Sequence, residues 1–172
     1  MKHSMNPAIR WFRHLFTGTL AVRRAFPKAV MDQITEAVRS CESRHAGEIR
    51  VVIEAALEPR ELWSGLSPRE RALDVFSRLR VWDTEHNNGV LIYLLLAEHR
   101  IEIVADRGLT QRVAAAVWQQ ISDDMGAAFK TGDYPRGLQG AVDQVGALLV
   151  QHFPADAQAL NPNELSNRPD IR

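Results

Sequence analysis

The stretch Asn87-Asn88-Gly89-Val90-Leu91-Ile92-Tyr93-Leu94-Leu95-Leu96-Ala97-Glu98-His99-Arg100-Ile101-Glu102-Ile103-Val104-Ala105-Asp106 decides the fold. Asn87-Asn88-Gly89 is a turn signal, because Asn and Gly tolerate the left-handed backbone that tight turns need. The apolar run that follows has no charged residue, which marks a central strand covered on both faces. Glu98-His99 is a short turn. Arg100 to Asp106 then alternates, so the two runs predict an antiparallel hairpin.

Toward the N-terminus, Glu48-Ile49-Arg50-Val51-Val52-Ile53-Glu54 alternates with a period of two and is rich in β-branched residues, so it reads as a second strand unit. Residues 58–66 read as an irregular connection. Ser67-Pro68-Arg69-Glu70 then opens a helix, with a serine cap, proline at the first helical position and glutamate at the capping-box position. A strand, a helix and a strand in succession predict a parallel pair joined by a right-handed crossover.

The outer segments are helical. Pro7 to Phe26 gathers Trp11, Leu15, Phe16 and Leu20 toward one side, and Pro27 breaks the pattern. Lys28 to His45 carries Val30, Ile34, Ala37, Val38 and Cys41 as its stripe, with Gly47 beyond its end. After the hairpin, Thr110 opens a helix that runs through Phe129. Gly132-Asp133-Tyr134-Pro135 breaks it, and a last helix spans 135–152. The expected class is α/β, a three-layer α/β/α sandwich whose mixed sheet has a central parallel pair and an antiparallel hairpin. Three segments follow: a basic amphipathic helix over 1–26, the α/β domain over 28–153, and a tail without periodicity over 154–172.

Composition limits function. The chain has 172 residues, with 21 Lys+Arg against 21 Asp+Glu, so its formal net charge is zero. Nothing draws it toward nucleic acid, and no nucleic-acid partner is expected. The zero conceals an asymmetry, because Lys2, Arg10, Arg13, Arg23, Arg24 and Lys28 all precede the first acidic residue, Asp32. The lone cysteine, Cys41, excludes an internal disulfide and reads as a packed thiol. No apolar run approaches the roughly 18–20 residues of a spanning helix, and no secretory signal pattern is present, so a cytoplasmic location is expected. Phosphate loop, dinucleotide glycine fingerprint, paired-cysteine metal site, zinc-protease motif and nucleophile elbow are all missing.

Two sets of residues could carry function. The loop before the central strand and the exit of the hairpin's second strand should meet at one end of the sheet, bringing Asp83, Glu85, Asn88 and Asp106 together. Oxygen-rich side chains on loops suit calcium or magnesium. The same residue types also serve plain turns, by bonding their own backbone. The other set is Arg10, Trp11, Phe12, Arg13, Phe16, Arg23 and Arg24. They suit an anionic membrane surface or a membrane protein as partner, and the competing reading packs the apolar side onto the domain.

Asn87 to Tyr93, the hairpin end Ile101 to Gly108, and Phe129-x-x-Gly132-Asp133-Tyr134 resemble the TPM domain over roughly residues 28–153. The resemblance implies a compact α/β/α sandwich. It also implies acid phosphatase activity and divalent-cation binding, as proposed for some members, and roles in maintaining membrane-protein complexes. Asn88 and Asp133 match family positions. After the hairpin, Ala105-Asp106-Arg107-Gly108-Leu109-Thr110 departs from the usual family pattern. Two functions stand side by side: a binding or accessory module at the inner face of a membrane, and a metal-dependent phosphatase using Asp83, Glu85 and Asp106.

Overall fold

The computed structural model describes residues 6–155 and 164–172. Residues 1–5 and 156–163, inside the first and last of the three expected segments, lie outside the described residues. Strand β1 (Glu48–Glu54) runs parallel to β2 (Gly89–Leu95), and β3 (Arg100–Ala105) returns antiparallel beside β2. The stretch read as a tail supplies a fourth strand, β4 (Asp170–Ile171), parallel to β1, which gives the order β3-β2-β1-β4. Two residues are too few for a period to register in sequence.

Helices cover both faces. On one lie α3 (Lys28–Glu42), α7 (Ala115–Lys130) and α8 (Tyr134–His152); on the other lies α5 (Pro68–Arg78). Alternation sends Val90, Ile92 and Leu94 of β2 into the α3/α7/α8 core, and Leu91, Tyr93 and Leu95 into the α5 core. All seven β2 residues are buried, as the unbroken apolar run requires. The sandwich is therefore as expected, with one antiparallel pair and the rest of the sheet parallel.

Local chemistry accounts for the helix starts. The Ser67 hydroxyl accepts from the Glu70 N–H at 3.2 Å, and the Glu70 carboxylate accepts from the Ser67 N–H at 2.8 Å. Gly89 is required where α5 ends against β2, because a Cβ there would stand 1.9 Å from the Val81 carbonyl oxygen. Gly146 lets α8 meet α3, where a Cβ would fall 1.8 Å from Cys41 Sγ.

Several boundaries differ from the sequence reading; α3 ends at Glu42 rather than His45. The segment over 7–26 is two helices, α1 (Pro7–Phe16) and α2 (Thr19–Ala25), parted by extended Thr17 and Gly18; a β-branched residue beside glycine weakens helix continuation. The connection over 58–66 contains a short helix, α4 (Pro59–Trp63), capped by Glu58 and Glu61. Strand β2 stops at Leu95, and a 3-10 turn (Leu96–Glu98) with left-handed His99 makes the hairpin bend. Asp106, rather than Thr110, caps the next helical turn, α6 (Arg107–Thr110), and α7 starts afresh at Ala115.

Candidate functional site

Helix α1 is amphipathic, and its polar side faces the protein. Arg10 Nε donates to Glu98 Oε1 at 2.7 Å, and its Nη2 reaches the Leu66 carbonyl. His14 is buried between two partners: the Leu57 N–H donates to Nδ1 at 2.9 Å, and Nε2 lies 2.9 Å from Glu98 Oε1. Because Nδ1 accepts, Nε2 carries the proton and donates to Glu98. Burial works to raise the Glu98 carboxyl, but the hydrogen bonds from His14 and Arg10 overcome it and hold the group below its usual range.

The apolar side of α1 faces outward. Phe12 is 64% exposed, Leu15 78% and Phe16 68%, with Ile9 and Leu20 also exposed. Phe12 and Phe16 stack with centroids 4.4 Å apart, and Trp11 meets the edge of Trp63, which is 85% exposed. Arg13, Arg23 and Arg24 are exposed as well. Of the residues singled out from sequence for membrane or partner contact, Arg10 is turned inward onto Glu98, whereas Trp11, Phe12, Arg13, Phe16, Arg23 and Arg24 lie at the surface. Farther along, Val22 and Phe26 are buried in the main core and anchor α2.

Beneath this face a buried ionic network fills the carboxyl end of the parallel strands, where open α/β sheets ordinarily bind ligands. Arg71 forks onto Glu54 at 2.6 and 2.9 Å and also reaches Glu61 at 2.9 Å and Asp74 at 3.0 Å. Tyr93 donates its hydroxyl to Glu54 Oε2 at 2.5 Å. Burial, followed by the Glu54 charge, pushes the phenol far up, and the hydrogen bond to Glu54 raises the Arg71 guanidinium. The network pins α4, which holds Trp63 beside Trp11. Sequence reasoning missed it; the only hint was Glu54 closing the apolar run Val51-Val52-Ile53 of β1.

At the opposite end of the sheet, the loop before β2 and the exit of β3 do meet. The Asp106 N–H donates to the Gly89 carbonyl and the Gly108 N–H to the Asn87 carbonyl, both at 2.9 Å, while Arg107 Nε donates to Asn87 Oδ1 at 3.0 Å. Asn88 is buried and its Nδ2 donates to the Ala46 carbonyl at 3.0 Å. Asp106 Oδ1 accepts from the Arg107 N–H at 2.6 Å. Asn88 Oδ1 and Asp106 Oδ2 are buried, with no hydrogen-bond partner among the described residues. Asp83 and Glu85 are exposed, and Asp83 stands 3.7 Å from Arg80. Among the described residues no cluster of three His, Cys, Asp or Glu side chains is placed to hold a metal. Asp133 caps α8, accepting from the Arg136 N–H at 3.3 Å. Cys41 is buried against His45, and burial pushes its thiol up, which suits a packed, protonated group.

The fold and these two ends define an α/β sandwich domain with a helix docked across the carboxyl end of its strands. The sequence profile of the TPM domain matches residues 23–148, and the chain belongs to that family. It is similar to the BA42 protein of the psychrophilic bacterium Bizionia argentinensis, with 28% identity and a TM-score of 0.73 over 84% of this chain and 93% of that one. The N-terminal domain of a protein from P. gingivalis shares the fold at 24% identity and a TM-score of 0.58, over 75% of this chain and 81% of that one. No curated protein sequence matches. Among the described residues no helix is long and apolar enough to cross a membrane.

Proposed function

We infer that this TPM domain is a binding module that docks peripherally on an anionic membrane, at its inner face. The apolar side of α1, with Leu20 and Trp63, would enter the lipid interface, and Arg13, Arg23 and Arg24 would sit among the headgroups. The observation that carries this reading is the orientation of α1: Arg10 and His14 are spent on Glu98, and the aromatic and leucine side chains face solvent. An ordinary surface helix does the reverse. Each large apolar side chain moved out of water contributes about 1.5–3 kcal/mol, and each basic residue near an anionic surface about 1 kcal/mol.

The test is co-sedimentation with phosphatidylglycerol vesicles. Removing residues 1–26 would strip Val22 and Phe26 from the core, so point variants are the better tool. Phe12→Ser with Leu15→Ser and Phe16→Ser should abolish binding without lowering the melting temperature. Binding equal to that of the unaltered chain would remove the membrane reading. Co-purification with a membrane protein in the absence of vesicle binding would replace it with a protein partner.

A second reading concerns the other end of the sheet, because Asn88 Oδ1 and Asp106 Oδ2 are buried oxygens without a partner among the described residues. Calcium takes six to eight oxygen ligands, so these two side chains do not by themselves build a closed site, and Asp83 and Glu85 add nothing to it. Calcium or magnesium titration followed at the Asn88 and Asp106 amides tests the cation. Phosphate release from a generic ester that survives both chelation and Asp106→Ala would end the metal-dependent phosphatase reading.

A further inference from the structure

Strand β3 is one of the two outer strands of the sheet, and its free edge lies in a slot. The Asp106 N–H bond to the Gly89 carbonyl sets the phase of the β2–β3 ladder. Arg100, Glu102 and Val104 exchange hydrogen bonds with β2, so the N–H and C=O groups of Ile101, Ile103 and Ala105 point to the open side. Among the described residues Arg69 answers one of them: its Nη1 donates to the Ile103 carbonyl at 2.7 Å, in the place where a neighbouring strand would put an N–H.

Helix α5 packs on one face of β3 and α7 on the other. Between them, along the strand edge, runs a groove of about 720 Å³. Arg69, Arg100 and Lys130 line it against Glu102 and Asp123, so cations outnumber carboxylates by one, and Trp118 of α7 forms part of its wall. Glu102 lies 3.4 Å from Arg100 and 3.8 Å from Arg69, so one carboxylate serves two guanidinium groups. The Trp118 indole N–H is buried without an acceptor among the described residues. The strand carries neither a proline nor a bulge, two of the devices by which proteins protect an edge from further pairing.

We propose that the slot is a β-augmentation site, where an extended, acidic segment of another protein adds to β3 as a further strand. Its backbone pairs with Ile101, Ile103 and Ala105, and its carboxylates meet Arg69, Arg100 and Lys130. The six residues of β3 offer about 20 Å of edge, enough for a segment of similar length.

The test uses the full-length, isotope-labelled chain and two acetylated, amidated peptides, one alternating valine with glutamate and one alternating valine with lysine, each at about 1 mM. The glutamate peptide should slow amide exchange at Ile101, Ile103 and Ala105 while leaving Glu102 and Val104, already bonded to β2, unchanged. Arg69→Glu and Ala105→Pro should each weaken binding by about tenfold or more. Proline at 105 removes an N–H that the β2 ladder does not use; should that variant misfold, Arg69→Glu carries the test alone. Protection without alternation, no protection at all, or equal binding of the lysine peptide overturns the proposal. A peptide-free chain that sediments as a dimer paired through β3 overturns it in favour of a second copy.

Discussion

Helices α1 and α3 carry comparable apolar stripes and turn them in opposite directions. In α3, Met31, Ile34, Val38 and Cys41 enter the main core, and the charged residues Lys28, Asp32, Glu36 and Arg39 form exposed i,i+4 and i,i+3 pairs. In α1, the stripe of Phe12, Leu15 and Phe16 faces solvent, and the polar side is spent on Glu98, Leu57 and Leu66. The difference teaches that an amphipathic pattern reports which residues share a face and leaves open what the face meets. Glu98, partly buried in the turn after the central strand, takes up the polar side of α1.

The sharpest way to break this comparison is to truncate matching apolar residues in the two helices. Ile34→Ala in α3 should cost about 2–5 kcal/mol in denaturant unfolding, through lost burial and a cavity. An equal loss for Leu15→Ala would mean that the α1 stripe is packed after all. Next in size, Glu98→Ala should cost about 1–3 kcal/mol, because it leaves the Arg10 and His14 donors without their acceptor in a partly buried site. It should also speed amide exchange over α1 and leave α3 untouched. Uniform exchange across both helices would show that Glu98 does not decide the orientation of α1.

Glu42, the last residue of α3, sharpens the contrast through pH. Its carboxyl is buried, accepting from the Ile49 N–H at 3.0 Å and from the Asn167 amide. Burial pushes it up to about 8, and burial pushes the neighbouring Glu48, which accepts from the Glu164 and Leu165 N–H groups, to about 7. A carboxyl raised in the folded state adds stability below its unfolded value near 4.5 and loses it as pH climbs through the folded value. The domain should therefore lose stability as pH climbs from about 5 to about 8 through these groups, and Glu42→Gln should flatten that slope. A slope unchanged in Glu42→Gln would assign it elsewhere. The smallest expected effect is Leu15→Ser on stability, within about 0.5 kcal/mol, checked by denaturant unfolding while the vesicle assay reports on docking.

Much of the architecture was legible. The strand pair, the hairpin and the α5 cap follow from period, turn chemistry and the Ser67–Glu70 box, all local in sequence. The meeting of Asn88 with Asp106 at one end of the sheet followed from strand direction alone. The exposure of Asp83 and Glu85 did not, because loop conformation between Arg80 and Asn87, both at positive φ, determines which side chains turn inward.

By itself the sequence determined which residues alternate, which lie on one helical face, and where helices begin, since these depend on neighbours a few positions away. Only the tertiary structure decided that Glu54 meets Arg71, that Glu98 captures Arg10 and His14, and that Asp170–Ile171 joins β1. Those contacts join residues from 17 to 118 positions apart. They arise only once the sheet and its layers place distant charges and backbone edges within reach, because the free energy of such a contact depends on burial that no local period encodes.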